Sequence, residues 1–375
     1  MKKFLIHAGA LTLALIMCVS CTSCVNVHEN EIPPEKILAE KMLAEMTLEQ
    51  KVGQLFLLHG YDVLEYNLPA AEEYNAGGVI LFAGYFENST PGTARAGVET
   101  LQAASAVPLF IGVDEEGGVV SRVSLYPQFR SSGIFKSPRQ LMESGGEELV
   151  RSDTDEKCEL LKSLGINLNL APVSDVSTNE KDFIYARSAG NADSTEIYVR
   201  AFVEQSVKNS VGSCLKHFPG YGDNEDTHIG VAVDKRPYER FENSDFIPVK
   251  AGIEAGVGLV MVSHNIVECM DADNPASLSG EVHRILRQEL GFGGIAISDD
   301  LGMDAIATQY GIGEAAVKAI ECGNDMITTS NLAEQYEAVL EAVQSGRISV
   351  ERIDESVLRI LEYKIQLGII TEPEK

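Results

Sequence analysis

Short apolar runs recur along the chain, most of them closing on polar or charged residues: QLFLLHG from Gln54, GGVILFAG from Gly77, PLFIGVDEE from Pro108, INLNLAPVSDV from Ile166, VGSCLKHF from Val211, VGLVMVSH from Val257, GGIAISDD from Gly293 and DMITTS from Asp325. Between most of them lie segments such as EIYVRAFVEQSVKN, EVHRILRQELG and GEAAVKAIECG, whose apolar residues stand three and four apart, the period of a helix with one buried face. Near-continuous apolar strands alternating with amphipathic helices predict a parallel sheet covered on both faces. Eight such units predict a (β/α)8 TIM-type barrel forming a single catalytic domain. A doubly wound open sheet fits the same pattern and is the structural alternative.

Polarity marks the C-terminal ends of the predicted strands. Asp114 and Glu115 follow PLFIGV, Asp175 follows NLAPVS, Lys216 and His217 end SCL, His264 ends LVMVS, and Asp299 with Asp300 end IAIS. In a barrel those ends converge on one mouth, where active sites are built.

Upstream of the first strand, ILAEKMLAEM has helical spacing, and Thr47 with Gln50 makes a capping-box start for the next short helix. The barrel domain is placed at 37–375, preceded by a polar tether at 25–36. The stretch MKKFLIHAGALTLALIMCVSC opens on two lysines, continues with an apolar run too short and too early for a convincing spanning helix, and ends in small residues and cysteine. Residues 1–24 are therefore expected to be a signal peptide with a lipobox-like end. Ser20 before Cys21 resembles a bacterial lipobox, and Cys24 after Ser23 is a second candidate for lipid attachment. The expectation is an exported cell-envelope lipoprotein, with plain secretion as the alternative, touching the membrane only through its N-terminal lipid.

Composition narrows the chemistry. The 375 residues carry 56 acidic against 30 basic side chains, a formal net charge of -26, with no Lys/Arg cluster of the kind that tracks a phosphate backbone, so no nucleic-acid partner is expected. Cys158, Cys214, Cys269 and Cys322 are scattered singly and read as buried thiols, not as bridges or metal ligands. His217, Asp223, Asp226, His228 and His264 could in principle assemble a metal site. However, the chain has no HxH at the end of the first strand, no HExxH and no paired CxxC, so no metal is expected. No Walker A sequence or strand-linked GxGxxG appears, and no cofactor is expected.

Three stretches could carry chemistry. Asp299 ends a buried strand and opens on DLGMDAI, where a carboxylate could attack an electrophilic carbon; Ser298, Asp299 or Asp300 could equally cap the helix that follows. In LKHFPGYGDNEDTHIG, Asp226 and His228 are one residue apart, close enough for the carboxylate to fix the imidazole tautomer and leave a general acid/base with an unperturbed pKa of ~6.5. Lys216 and His217, on the strand end, are expected to donate hydrogen bonds to a bound polar ligand. In DEEGGVVSR, Asp114 and Arg122 flank a Gly-Gly turn and could hold sugar hydroxyls, although a salt bridge across the loop would look the same.

IGVDEEGG, LNLAPVSDV, ARSAG, CLKHFPGYGD, NPASLS and ISDDLGM follow one another in an order and spacing that resemble the N-terminal barrel domain of glycoside hydrolase family 3, particularly its single-domain β-N-acetylhexosaminidase branch. The resemblance runs from Met46 to about Ile369. It implies that Asp299 is the nucleophile of a retaining mechanism, that Asp226 and His228 are the acid/base dyad, and that Asp114, Arg122, Arg187, Lys216 and His217 hold the terminal sugar. It implies a β-linked N-acetylglucosamine glycan, such as a peptidoglycan fragment, as substrate. Two-domain relatives draw their acid from a following domain; with no residues after Lys375, the acid is expected in the barrel loops, at His228. The rivals are a β-glucosidase, β-xylosidase or glycoside phosphorylase on the same scaffold, and a catalytically silent glycan-binding lipoprotein. The chain departs from the family pattern at Tyr221, where a second histidine is common, at Ala189, where phenylalanine is common, and in the segment from Asp223 to His228, one residue shorter than usual.

Overall fold

The computed structural model describes residues 33–224 and 232–372. Each of the eight apolar runs holds one strand: β1 Phe56–His59, β2 Gly78–Leu81, β3 Phe110–Val113, β4 Leu168–Asn169, β5 Gly212–Phe218, β6 Leu259–Val262, β7 Ile295–Ser298 and β8 Met326–Thr329. Neighbours in sequence pair in parallel all the way round. Leu57 pairs with Gly78 of β2 on one side and Thr328 of β8 on the other, so the sheet closes on itself and the open-sheet alternative is excluded. The runs are apolar because helices cover the outer face and side chains fill the lumen; β2, β3 and β5 to β8 are buried at every position.

Local signals act as the residue types require. Thr47 and Gln50 form the expected reciprocal cap of helix Leu48–Gln54. The first helix, Pro34–Glu45, opens at proline, whose missing N–H is one that a first helical turn leaves unused anyway. It packs against the last helix, Val350–Gln366, whose amphipathic face buries Ile353, Val357, Ile360 and Leu361. EVHRILRQELG departs from a plain α-helix, running as Gly280–Arg284 and then a π turn over Ile285–Glu289. No described helix is long and apolar enough to cross a membrane.

Beside the mouth, Val233–Asp234 pairs in parallel with Ile266–Val267, tying the segment after β5 to the segment after β6. One expectation fails close by. Cys158 and Cys214 are buried, but Cys269 is exposed, because it lies in the turn after Ile266–Val267 and not in an apolar element.

Candidate active site

The polar strand ends meet in a cavity of ≈ 400 Å³ at the C-terminal mouth of the barrel. Asp114, Arg122, Arg187, Lys216, His217 and Asp299 all line it. The loop after β3 can enter the mouth because it reverses at once. Gly117 and Gly118 have φ of +95° and +65°, and a Cβ on Gly117 would lie 2.2 Å from the Lys136 carbonyl oxygen. Buried Glu115 then ties the returning strand of the loop, accepting the backbone N–H groups of Arg122 at 2.9 Å and Val123 at 2.7 Å.

Glu116, fully buried, is the hub of the cavity wall. Its carboxylate takes a two-pronged pair from Arg187, with Nε at 2.9 Å and Nη2 at 2.8 Å, and lies 2.8 Å from Lys216 Nζ. Burial alone would push the Glu116 carboxyl up, but the charges of Arg187 and Lys216 outweigh it and hold the group well below the usual carboxylate range. Lys216 also reaches Asp114 Oδ1 at 2.5 Å. The salt bridge weighed between Asp114 and Arg122 does not form: Asp114 pairs with Lys216, and the Arg122 guanidinium stands over the Phe82 ring, 5.6 Å from its centroid. Arg122 Nε is buried without a hydrogen-bond partner among the described residues.

His217 lines the cavity with both ring nitrogens facing protein partners. Its Nδ1 lies 2.7 Å from Asp175 Oδ2, and its Nε2 faces Arg187 Nη2 at 3.3 Å. A guanidinium can only donate, so Nε2 carries the lone pair and the proton sits on Nδ1. Asp175 is built to receive it, since it also accepts the backbone N–H of His217 at 3.0 Å and of Tyr221 at 2.8 Å. Burial would raise the Asp175 carboxyl, but His217 and these bonds lower it.

The two aspartates at the end of β7 separate into two tasks. Asp300 accepts the backbone N–H of Gly302 at 2.8 Å and of Ser330 at 3.2 Å, and His59 Nδ1 stands 3.1 Å from its Oδ2, so it fastens the ends of β1, β7 and β8 together. Asp299 takes the N–H of Asp300 at 2.9 Å through its Oδ1 and faces the cavity. Asp300 thus closes the turn that precedes the next helix, Asp304–Tyr310. His264 is wholly buried, bonded through Nδ1 to Ser277 Oγ at 2.7 Å and through Nε2 to the Asp300 carbonyl at 3.0 Å, so it supports this corner and does not line the cavity.

Asp226 and His228 lie outside the described residues. The stem before them is anchored: Gly220 has φ of +125° with Asp245 packed where a Cβ would go, and Arg236 Nη2 donates to the Gly220 carbonyl at 3.0 Å while pairing with Asp234 and Asp245. Tyr221 is buried, its ring edge-on to His217 at 4.9 Å and to Phe183 at 4.9 Å, so it adds to the packing around His217. Among the described residues no group of three or more His, Cys, Asp or Glu side chains could hold a metal ion.

The model of the glycosyl hydrolase family 3 N terminal domain matches residues 47–363. The chain belongs to that family. A curated relative, the β-N-acetylglucosaminidase/β-glucosidase of Cellulomonas fimi, is 31% identical over 87% of the chain and 59% of its own length. The β-hexosaminidase of Thiobacillus denitrificans is 34% identical over 70% of the chain and 74% of its own length. Among solved structures, a glycoside hydrolase family 3 β-N-acetylglucosaminidase from Paenibacillus sp. str. FPU-7 superposes with a TM-score of 0.81 at 33% identity, covering 88% of this chain and 64% of that one. The chain therefore spans about three fifths of the length of two of these relatives.

Within this family 3 barrel, sequence reasoning passed over Glu116, saw His59 only as a lone histidine, noted Asp175 without assigning it, and weighed Asp300 only as a helix cap. Their only outward sign was an acidic residue beside one already singled out, or a lone histidine at a strand end. What gives them their roles is the cation or N–H that another strand delivers.

Proposed function

We propose that the chain is a retaining exo-β-N-acetylglucosaminidase that removes terminal N-acetylglucosamine from glycans such as peptidoglycan fragments. The observation that carries this reading is the placement of Asp299 in one small cavity with a wall of paired charge, Asp114, Lys216, Glu116 and Arg187. A volume of ≈ 400 Å³ lies toward the small end of ligand pockets and suits one sugar residue better than a chain.

In this mechanism Asp299 attacks the anomeric carbon as its bond to the leaving oxygen breaks, and His228, held in one tautomer by Asp226, protonates that oxygen. Water then attacks the anomeric carbon, gives its proton to His228 and frees Asp299, so configuration is retained. The cations at Arg187 and Lys216, paired with the carboxylates of Glu116 and Asp114, orient hydroxyls. Because an imidazole repels an incoming anion less than a carboxylate would, phosphate is a competitor of water in the second step.

Initial rates on aryl N-acetyl-β-glucosaminide, β-glucoside and β-xyloside, with and without phosphate, test the proposal. The N-acetylglucosaminide is expected to be the best substrate, and Asp299→Ala to lower its turnover by about 10³-fold or more. Equal rates for wild type and Asp299→Ala would remove Asp299 from the mechanism, and sugar binding without turnover of any glycoside would favour a silent binder. We further propose that residues 1–24 direct export and that Cys21 or Cys24 carries a lipid. Replacing both cysteines should shift the full chain from the membrane fraction to the soluble one.

A further inference from the structure

Beyond the paired charges, the cavity wall continues as a line of contacts that ends at Asp299. The Arg122 guanidinium stands 5.6 Å from the centroid of the Phe82 ring, and that ring lies against the His59 imidazole, 3.9 Å between centroids and 9° from parallel. His59 Nδ1 is 3.1 Å from Asp300 Oδ2, and the Asp300 N–H donates to Asp299 Oδ1 at 2.9 Å. All five residues line the cavity. A carboxylate can only accept, so His59 Nδ1 carries a proton. Strand β1 fixes where that proton is offered, since Leu58 pairs with Thr329 of β8 and His59 with Ile80 of β2, and the Phe82 face sets the plane of the ring.

Asp300 needs such a hold because it is an anion on the residue next to the attacking carboxylate. Burial would raise its carboxyl, but His59, Ser330 and the Gly302 N–H lower it. Two neighbouring carboxylates repel each other, so one of them has to be turned away. Asp300 is the one turned: its Oδ1 accepts the N–H groups of Gly302 and Ser330, and its Oδ2 is shared between the Ser330 hydroxyl and His59. A hydroxyl rotates to follow its acceptor, whereas a stacked imidazole on a paired strand does not. We propose that His59 is a positioning residue for the nucleophile: it pins the Asp300 carboxylate toward β1 and β8, which fixes the Asp300 N–H and through it the carboxylate of Asp299. The inference rests on the role proposed above for Asp299 and adds the residue that aims it. A reacting group about 1 Å out of place can lose about 10²-fold in rate, so even a partial shift is measurable.

The test compares two replacements, His59→Leu, which still covers Phe82 but donates nothing, and His59→Asn, whose amide nitrogen stands near the place of Nδ1. On the aryl N-acetyl-β-glucosaminide, His59→Leu is expected to lower kcat about tenfold with KM within about twofold, and His59→Asn to recover kcat to within about threefold of the wild type. A second measurement does not depend on turnover: crystal structures of the wild type and both variants. The Asp299 carboxylate should be displaced by about 0.5–1 Å in His59→Leu and stay in place in His59→Asn. An unchanged kcat in His59→Leu, or a loss that His59→Asn does not recover, would overturn the positioning role. A loss confined to KM would overturn it too, by placing His59 on the sugar. Absence of any glycoside turnover by the wild type would instead sink the activity, and the position of Asp299 in the three structures would still judge what His59 holds.

Discussion

Two buried lysines, one at the mouth of the barrel and one at its floor, experience burial in opposite ways. Lys216 is 3% exposed and Lys364 is 0% exposed. At the mouth, burial pulls Lys216 down, but Asp114 and Glu116 overcome it and raise the group above its ordinary 10.5. At the floor, near the start of β1 and β3, the partners of Lys364 are Gln54 Oε1 at 2.8 Å and the face of Phe110, 5.1 Å from the ring centroid, and burial lowers its pKa to about 7. Burial sets the cost, and the charge of the partners decides its outcome. Lys216 is held as a permanent cation in a dry wall, which suits a site that must grip polar groups. Nothing at the floor requires a charge on Lys364, and its stem fills space between β1, β3 and the last helix.

The largest effect should come from removing the cation at the mouth. Lys216→Met leaves Asp114 without an ion-pair partner, and buried Glu116 with Arg187 alone, among the described residues. The expected loss is about 3–5 kcal/mol of unfolding free energy at pH 7, read by denaturant titration, together with loss of glycosidase turnover. A variant as stable as wild type would mean that the carboxylates and the lysine merely cancel one another.

Glu116→Gln probes the same wall from its anionic side. Because the folded-state pKa of Glu116 is depressed, its contribution is present above its unfolded value near 4.5 and is lost as pH falls below it. The wild type should therefore lose stability steeply from about pH 4.5 downward. The glutamine variant, weaker by about 2–3 kcal/mol at pH 7, should show a shallower slope over the same range. Parallel slopes would assign the acid sensitivity to other carboxylates, Asp175 first among them.

The contrast also separates what the sequence could and could not disclose. All eight strands were legible, because burial on both faces leaves an apolar run that no solvated segment imitates. The Thr47–Gln50 cap was legible because both of its partners lie within one turn. The roles of Asp299 and Asp300 were not, since adjacent aspartates look alike until β1 supplies His59 and the end of β8 supplies Ser330 to one of them. The partners that hold His217 within the protein were hidden for the same reason: Asp175 and Arg187, which face its two ring nitrogens, come from the segment after β4. Lys364 carries no sign of its depressed pKa either, standing as one more charged residue on an amphipathic helix.

The smallest effect expected, and the one that tests the floor alone, belongs to Lys364. Between about pH 7 and pH 10.5 the unfolded chain keeps a proton on this lysine that the folded chain has released. The unfolded state binds more protons there, so this group makes stability rise with pH across that window; below pH 7 both states are charged and the fold bears the whole cost of the buried ammonium. Lys364→Met keeps the stem, removes the charge and leaves Gln54 Oε1 without its donor. Losing that bond offsets part of the gain, so the variant should be more stable by about 1–3 kcal/mol at pH 6, a margin that narrows toward pH 10. Activity should be unchanged, because the mouth and its ion pairs are untouched. If Lys364→Met instead destabilised the protein equally at pH 6 and pH 10, the Gln54 bond would outweigh burial, and the floor lysine would belong with Lys216 as a group whose partner decides its worth.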